Sequence, residues 1–180
     1  MSGNNEAEKA VYKVLINAPI DKVWSELVKT DEVLPFFFGA VCRTEQGLTV
    51  GQPMAMETPN GKYRSVVGKV LEFTPPHRYS HTLKFTNFGD APCTIVYDLK
   101  EVEGGVEFTL TTLGAIPGSK TAKSMAQGGK FIVETFKSVV ETGKPSFGTR
   151  MMLGMMGMMG PFTPKVCLTE NWTFDNISKL

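Results

Sequence analysis

The chain has 180 residues, 42% of them hydrophobic and 21% charged, with a formal net charge of +1 at pH 7. This length suits a single domain with one full hydrophobic core. The nineteen basic and eighteen acidic side chains form no run of like charge, which excludes the clustered Lys and Arg of a nucleic-acid-binding surface.

The three cysteines, Cys42, Cys93 and Cys167, are widely separated and show no paired spacing. Their number and spacing predict neither a disulfide framework nor a zinc site, and they favour a reducing cytoplasm. The polar first residues lack the order of a signal peptide, and no apolar run approaches the roughly 20 residues of a membrane-spanning helix. We therefore expect a soluble cytoplasmic protein without a bound metal.

The first forty residues predict a strand and two short helices after a disordered lead-in at residues 1–9. The apolar and β-branched run Val11–Asn17 predicts the strand. Pro19 then suits the first turn of a helix, whose apolar stripe is formed by Val23, Trp24, Leu27 and Val28. A second short helix is expected to begin near Thr30 and to continue into the phenylalanines at 36–38.

From about residue 40 to 114 the apolar period changes to two, which indicates strands. The predicted strands are Ala40–Arg43, Pro53–Thr58, Arg64–Phe73, Tyr79–Phe85, Pro92–Val102 and Val106–Leu113. The connections between them are short, and pairs such as Asn60-Gly61 and Gly104-Gly105 tolerate the positive φ of tight turns. Connections this short force antiparallel pairing, so the segment predicts a continuous antiparallel meander.

A long helix is predicted from a Ser119 cap to about Thr142, with Gly143 as its end. Gly128-Gly129 lies inside its apolar stripe, where a glycine costs about 1 kcal/mol relative to alanine. The pair indicates a weak helical turn, or else a close approach of helix and sheet or room for a ligand. The order of elements predicts an α+β fold in which a curved antiparallel sheet wraps around the long C-terminal helix.

Three motifs resemble those of a known superfamily and of one family within it. Ile16-Asn17-Ala18-Pro19 followed by Val23-Trp24 resembles the opening of the START-type helix-grip superfamily. Gly68-Lys69-Val70-Leu71-Glu72 followed by Pro75-Pro76 and Arg78 resembles a stretch of the heat-shock protein 90 ATPase activator-like family. Glu141-Thr142-Gly143-Lys144-Pro145 is similar to the end of that family's last helix.

The resemblance implies a helix-grip domain at residues 10–146 and leaves residues 147–180 as a methionine-rich extension. Members of the superfamily bind sterols, lipids, flavonoids or polyketides, and a few catalyse cyclisation or dehydration. The named family takes its title from co-chaperones in which a separate domain also takes part. A protein-interaction or stress-response module is therefore an alternative to a ligand-binding protein.

Strand parity selects the residues that would line a cavity between sheet and helix. His81, Tyr97 and Thr112 are the polar exceptions on otherwise apolar strand faces, and such a mixture is the usual form of a small-molecule site. The ligand-binding residues predicted for a small hydrophobic molecule are His81, Tyr97, Thr112, Phe85, Leu99, Phe108, Leu110, Met125, Ile132 and Phe136. Each polar residue also has a purely structural interpretation, as a hydrogen-bonded or packed core residue.

Catalysis is a further hypothesis, in which His81 acts as a general base and Tyr97 as a proton donor of a cyclase or hydratase. No nucleophile elbow, phosphate loop or dinucleotide motif is present, so we expect no cofactor. Cys42 follows the apolar segment at 36–39, and a buried structural cysteine is favoured over a reactive one. An interior filled by side chains would weaken both the ligand-binding and the catalytic hypotheses.

Residues Met151–Met159 contain six of the ten methionines in the chain. The segment is expected either to fold back over the sheet or the cavity entrance, or to form a surface for a protein partner or self-association. Membrane contact and copper(I) binding through thioethers are weaker alternatives, because nine residues cannot span a bilayer and no histidine or cysteine lies in the segment. A short strand is predicted around Trp172.

Overall fold

The computed structural model describes residues 8–158 and 160–180. Of the predicted disordered lead-in, residues 1–7 lie outside the described part, whereas Glu8 and Lys9 belong to the first strand. The strands are β1 Glu8–Ile16, β2 Val33–Leu34, β3 Ala40–Thr44, β4 Pro53–Glu57, β5 Arg64–Thr74, β6 Arg78–Phe85, β7 Cys93–Val102 and β8 Gly105–Ala115. The helices are α1 Ile20–Leu27, α2 Lys120–Thr142, α3 Phe147–Met158 and α4 Phe174–Ile177.

The eight strands form one antiparallel sheet in the order β1-β8-β7-β6-β5-β4-β3-β2. Each strand from β2 to β7 pairs with the next strand along the chain, as short connections require, and β1 pairs with β8. The sheet curls as a half-barrel around α2, which follows the last strand. The predicted α+β helix-grip fold is confirmed.

The segment after α1 differs from the predicted second helix. Val33 and Leu34 form a short strand that pairs with Val41 and Ala40 of β3, and only Pro35–Phe37 makes one 3₁₀ turn. The proline explains this outcome, because it drives the residue before it into an extended conformation. Leu34 accordingly has φ −105° and ψ 98°.

The long helix α2 begins and ends where its sequence predicts. The Ser119 hydroxyl accepts a hydrogen bond from the Ala122 N–H at 3.0 Å, and Gly143 adopts the left-handed conformation with φ 77°. The apolar face of α2 lies against the concave side of the sheet. Its Phe136 is fully buried there together with Phe108 of β8 and Phe36 of the 3₁₀ turn.

The glycine pair in α2 marks a close approach of aromatic rings to the helix. A side chain at position 129 would overlap the ring of Tyr12 on β1, and one at position 128 would lie 3.4 Å from the ring of Phe38. The Tyr12 hydroxyl also donates a hydrogen bond to the Ala126 carbonyl at 3.1 Å. The interpretation of the glycine pair as a close approach of helix and sheet is confirmed for Gly129, whereas Gly128 faces Phe38, which lies outside the strands.

The last residues of the chain cover the outer face of β4 and β5. Ile177 of α4 is fully buried against Ala55 and Val67, with Trp172 and Phe174 packed beside them. All five residues of β4 are buried, because Met54 and Met56 belong to the main core and Ala55 is covered by the tail. The strand predicted around Trp172 is wrong: a 3₁₀ turn at Thr169–Asn171 leads into α4 instead.

A buried ion pair anchors the tail to the sheet. The Arg64 guanidinium lies 3.1 Å from the Glu57 carboxylate, and it also donates a hydrogen bond to the Trp172 carbonyl. The same guanidinium lies 4.3 Å from the ring centroid of Phe174. These contacts neutralise a charge that would otherwise be buried without a partner.

Candidate functional site

Strand pairing brings the predicted polar residues to adjoining positions on the inner face of the sheet. His81 of β6 lies opposite Ile95 of β7, which in turn lies opposite Thr112 of β8. In the adjacent row, Tyr79 lies opposite Tyr97. Directly opposed side chains share one face of a sheet, so the four polar residues converge on the interior that α2 closes.

A hydrogen bond joins His81 to Tyr97 in this interior. The His81 Nδ1 atom lies 2.8 Å from the Thr82 carbonyl oxygen and must carry the proton, because a carbonyl only accepts. The Nε2 atom is therefore an acceptor, and the Tyr97 hydroxyl, 3.2 Å away, donates to it. The donor capacity of Tyr97 is used by this bond, and its oxygen keeps the capacity to accept.

Burial holds these groups in their neutral forms. It lowers the pKa of His81 from 6.5 to about 4, against a smaller opposing effect of the hydrogen bond to Thr82. Burial, together with the nearby Cys42 thiol, raises the pKa of Tyr79 and of Tyr97 well above 10. The site therefore offers neutral hydrogen-bonding groups, and His81 is a weak base at neutral pH.

Two hydroxyl groups in this cluster have no hydrogen-bond partner among the described residues. They are the Tyr79 hydroxyl and Thr112 Oγ1, and both residues are buried. An unsatisfied buried polar group costs about 1–3 kcal/mol, so such groups are uncommon in a finished core. Tyr79 is absent from the predicted site, although its spacing of two residues from His81 on one strand was the signal that could have identified it.

Aromatic rings surround the polar cluster. Tyr97 stacks on Tyr79 with centroids 5.4 Å apart, and Phe108 lies on its other side at 6.2 Å. Phe136 of α2 then contacts Phe108 at 4.6 Å and Phe36 at 4.7 Å. Side chains thus fill the space beside the cluster, and this filled interior weakens both the ligand-binding and the catalytic hypotheses unless the covering rings move.

Six of the predicted apolar lining residues are buried in this same core: Leu99, Phe108, Leu110, Met125, Ile132 and Phe136. Phe85 is different, because it lies at the end of β6, is only partly buried, and packs its ring on Phe88 at 5.2 Å. The structure therefore groups nine of the ten predicted residues in the interior and places Phe85 toward its margin. Their part in binding a ligand stays a prediction.

The three phenylalanines after Pro35 cover the interior on the side of α2. Phe37 lies 6.0 Å from Tyr97, and Phe38 stacks on Phe131 of α2 at 4.4 Å. Phe38 is 40% exposed and has a left-handed backbone with φ 56°, which is uncommon for a bulky side chain. The sequence identified this segment as apolar but gave no sign that it closes the interior.

The cysteines near the site are buried thiols. Burial raises the pKa of Cys42 to about 12 and that of Cys93 to about 11, so neither forms a thiolate at neutral pH. Cys42 is thus the buried residue that was predicted rather than a reactive one. Within residues 8–158 and 160–180, no three His, Cys, Asp or Glu side chains come together as metal ligands would.

A groove of about 200 Å³ lies on the surface between α1, β2 and the end of α2. Lys29 on its wall pairs with Glu26 at 2.9 Å and with Glu32 at 3.6 Å. None of the four polar residues of the interior lines this groove, whose charged groups are already paired with one another.

Residues 17–141 match the family described as Activator of Hsp90 ATPase homolog 1-like protein, which is more than half of the chain. No curated protein sequence matches. Among solved structures, the AHSA1-like protein from Aeromonas hydrophila is 19% identical, with a TM-score of 0.55 over 76% of this chain and 94% of that one. An HSP90 activator from Plasmodium falciparum is 17% identical, with a TM-score of 0.54 over 76% and 97%.

A protein of the dynemicin biosynthetic locus is 23% identical, with a TM-score of 0.57. The alignment covers 76% of this chain but 48% of that protein, so this chain spans about half of its length. At these identities the three structures establish a shared fold and no shared activity. They confirm the fold that the three sequence motifs implied.

Proposed function

Because the chain belongs to the Activator of Hsp90 ATPase homolog 1-like family, in which a curved sheet grips a long helix, we propose that it binds a small hydrophobic molecule between β6–β8 and α2. The observation that carries this proposal is the pair of buried hydroxyls on Tyr79 and Thr112, which have no partner in the described protein. A bound molecule would form hydrogen bonds with both hydroxyls. These bonds would compensate the free-energy cost of burying the hydroxyls without partners, and this gain would favour binding.

The chemistry of the cluster defines the ligand. Tyr79 offers a donor, Thr112 a donor and an acceptor, and Tyr97 an acceptor, all at neutral groups. The surrounding rings and aliphatic side chains carry no charge. A largely flat, apolar molecule with one or two carbonyl or hydroxyl groups fits this environment, and polyketide-like and sterol-like compounds have that form.

Entry requires the segment Phe36–Phe38 to move. Phe37 and Phe38 cover the interior and are themselves partly exposed to solvent. Phe37 packs on Tyr97 and Phe38 on Phe131, and the ring of an aromatic ligand would replace these contacts. A pocket of this kind exists in a minor conformation and becomes dominant when the ligand binds.

The same groups argue against acid–base catalysis at neutral pH. A general base works best with a pKa near the working pH, and burial has moved the pKa of His81 to about 4. The Tyr97 hydroxyl already donates its hydrogen bond to His81, and the raised pKa of Tyr97 opposes its ionisation. Binding without chemistry is the function that this electrostatic environment supports best.

The family match favours a second candidate, contact with a chaperone ATPase. The Plasmodium falciparum neighbour is described as an HSP90 activator and shares the fold of this chain. An increase in the ATPase rate of purified Hsp90 when this protein is added would support this candidate, whether or not a small molecule is bound.

The test of ligand binding is native mass spectrometry of the gently purified protein, followed by organic extraction of bound compounds. We expect a discrete apolar molecule whose affinity falls about tenfold or more in the double variant Tyr79→Phe/Thr112→Val, since each lost hydrogen bond contributes about 1 kcal/mol. Thr109→Val, on the outer face of β8, is the matched control and should leave the affinity unchanged. A ligand-free mass, with no compound of this class raising the melting temperature, would contradict the proposal.

A further inference from the structure

Helix α3 presents a stripe of apolar side chains to the outside. Phe147, Met151, Met155 and Met158 recur at intervals of four, four and three residues and so lie on one face of the helix. Their side chains are 78%, 59%, 53% and 73% exposed. Phe162, four residues after the helix, is 80% exposed and extends the apolar surface.

The opposite face of α3 is only partly covered by the domain, since Met156 on that face is 45% exposed. Thr149, Met152 and Leu153 are half-buried, and a Leu153 methyl group lies about 4.0 Å from where a side chain on Gly39 would begin. This contact places Leu153 on the side of α3 that faces the domain. The outward stripe is therefore not a face that the rest of this domain covers.

The chain on either side of α3 carries basic residues and no acidic ones. The segment from Thr142 to Thr169 contains three basic side chains and no acidic one, a net charge of +3 in a chain whose total is +1. Lys144, Arg150 and Lys165 flank or belong to α3, and they form no salt bridge within the described part of the chain. Arg150 precedes Met151 directly and so lies beside the stripe on the helix surface.

These observations distinguish between the possible occupants of the stripe. A second copy of the chain would bring two such basic segments together, and their repulsion would oppose a symmetric contact. An anionic partner gains from the same charges. Flexible methionines and phenylalanines on a convex helix need no matching pocket, and they insert readily among lipid acyl chains.

We propose that α3 docks this protein on the surface of an anionic lipid bilayer. The stripe enters the boundary between headgroups and acyl chains, while Lys144, Arg150 and Lys165 contact the lipid phosphates and carboxylates. With 12 residues α3 is too short to cross a bilayer, so the helix lies in the plane of the surface. Among the described residues, no helix has both the length and the hydropathy of a membrane span. The proposal is independent of ligand binding in the interior.

The test is flotation of the full chain with vesicles of phosphatidylcholine, with and without phosphatidylserine. We expect the protein to float with the phosphatidylserine vesicles and to dissociate as the salt concentration rises. Met151→Asp/Met155→Asp should weaken this binding by about tenfold or more. Arg150→Ala should weaken it about fivefold, which corresponds to about 1 kcal/mol for one basic group at such a surface.

Val33→Asp/Val50→Asp is the matched control, because both side chains are more than half exposed and lie outside α3. It should bind vesicles as the parent does. Unchanged circular dichroism and unfolding midpoints verify that each variant is folded. The proposal is overturned if the parent fails to bind phosphatidylserine vesicles, or if the methionine double variant binds as tightly as the control. Self-association that the methionine substitutions abolish, without vesicle binding by the parent, would assign the stripe to a second copy.

Discussion

The ring of Tyr12 occupies the space that a side chain on Gly129 would take. This contact joins β1, the strand at one edge of the sheet, to the middle of α2. The Tyr12 hydroxyl reaches further along the helix to the Ala126 carbonyl. The glycine that weakens the helix as an isolated segment thus permits a close contact between the helix and the edge of the sheet.

We expect Gly129→Ala to lower the free energy of unfolding by about 1–3 kcal/mol. The added methyl group would displace the Tyr12 ring, and the cost of this overpacking exceeds the gain of about 1 kcal/mol in helix propensity. The neighbouring Gly128→Ala should be neutral or stabilising by up to about 1 kcal/mol, since its added methyl would meet Phe38 at an ordinary 3.4 Å. Urea unfolding of the two variants measures the difference. Equal stability of the two would refute the close contact.

Substitution of the two stacked tyrosines should change stability in opposite directions. Tyr79→Phe removes a buried hydroxyl without a partner and should raise the free energy of unfolding of the ligand-free protein by about 1 kcal/mol. Tyr97→Phe leaves the Nε2 atom of His81 without its donor and should lower it by about 1–3 kcal/mol. Chemical denaturation at neutral pH measures both values. A loss of stability in both variants would show that the Tyr79 hydroxyl is already satisfied.

The buried imidazole of His81 predicts a loss of stability in mild acid. Its pKa is about 4 in the folded protein against an ordinary 6.5, so between these values the unfolded chain binds a proton that the folded chain excludes. Stability is therefore unaffected above about pH 6.5 and falls by about 2–3 kcal/mol as the pH decreases to about 4.5.

The variant His81→Gln should lack this component of the pH dependence, whereas His77→Gln, in the exposed turn before β6, should retain it. Carboxylates such as Asp90, whose pKa is lowered by the Thr121 N–H, contribute equally in all three proteins. The difference between the unfolding free energies of the variants across this pH range isolates His81. Parallel curves for all three proteins would contradict a buried, neutral histidine.

The tail should contribute to the stability of the whole domain. Ile177→Ala removes a fully buried side chain from the cluster with Ala55 and Val67 and should cost about 2–4 kcal/mol. Leu180→Ala, at an exposed position three residues on, should cost less than about 0.5 kcal/mol. Thermal unfolding of both variants tests this, and equal melting temperatures would show that residues after 164 are dispensable for the fold.

The sequence was sufficient to predict the meander and the long helix, because both depend on local signals. Strands with an apolar period of two and connections as short as the one at Asn60-Gly61 pair antiparallel with their neighbours, because a parallel pair needs a longer crossover connection. The Ser119 and Gly143 caps define α2 to within a residue. His81, Tyr97 and Thr112 lie in the interior as strand parity predicts.

Other features depend on contacts between distant residues, and local patterns do not record these. The covering position of Phe37 and Phe38 depends on Tyr97 and Phe131, which lie far along the chain. Trp172 is a residue type that is common in strands, yet its segment forms a turn and a helix. The Arg64 guanidinium, more than a hundred residues earlier in the chain, holds this segment by a hydrogen bond to the Trp172 carbonyl. The side of α3 that faces the domain is likewise marked by its contact near Gly39.

The position of Ile177 on the outer face of β4 has a consequence for synthesis of the chain. Ala55 and Val67 leave the ribosome more than a hundred residues before the side chain that covers them. Translation proceeds at about 5–20 residues per second, so this face stays open to water for seconds while the inner face already packs around its helix. Arg64 and Glu57 border the open face during that interval, and their charges oppose apolar contact of this face with another nascent chain.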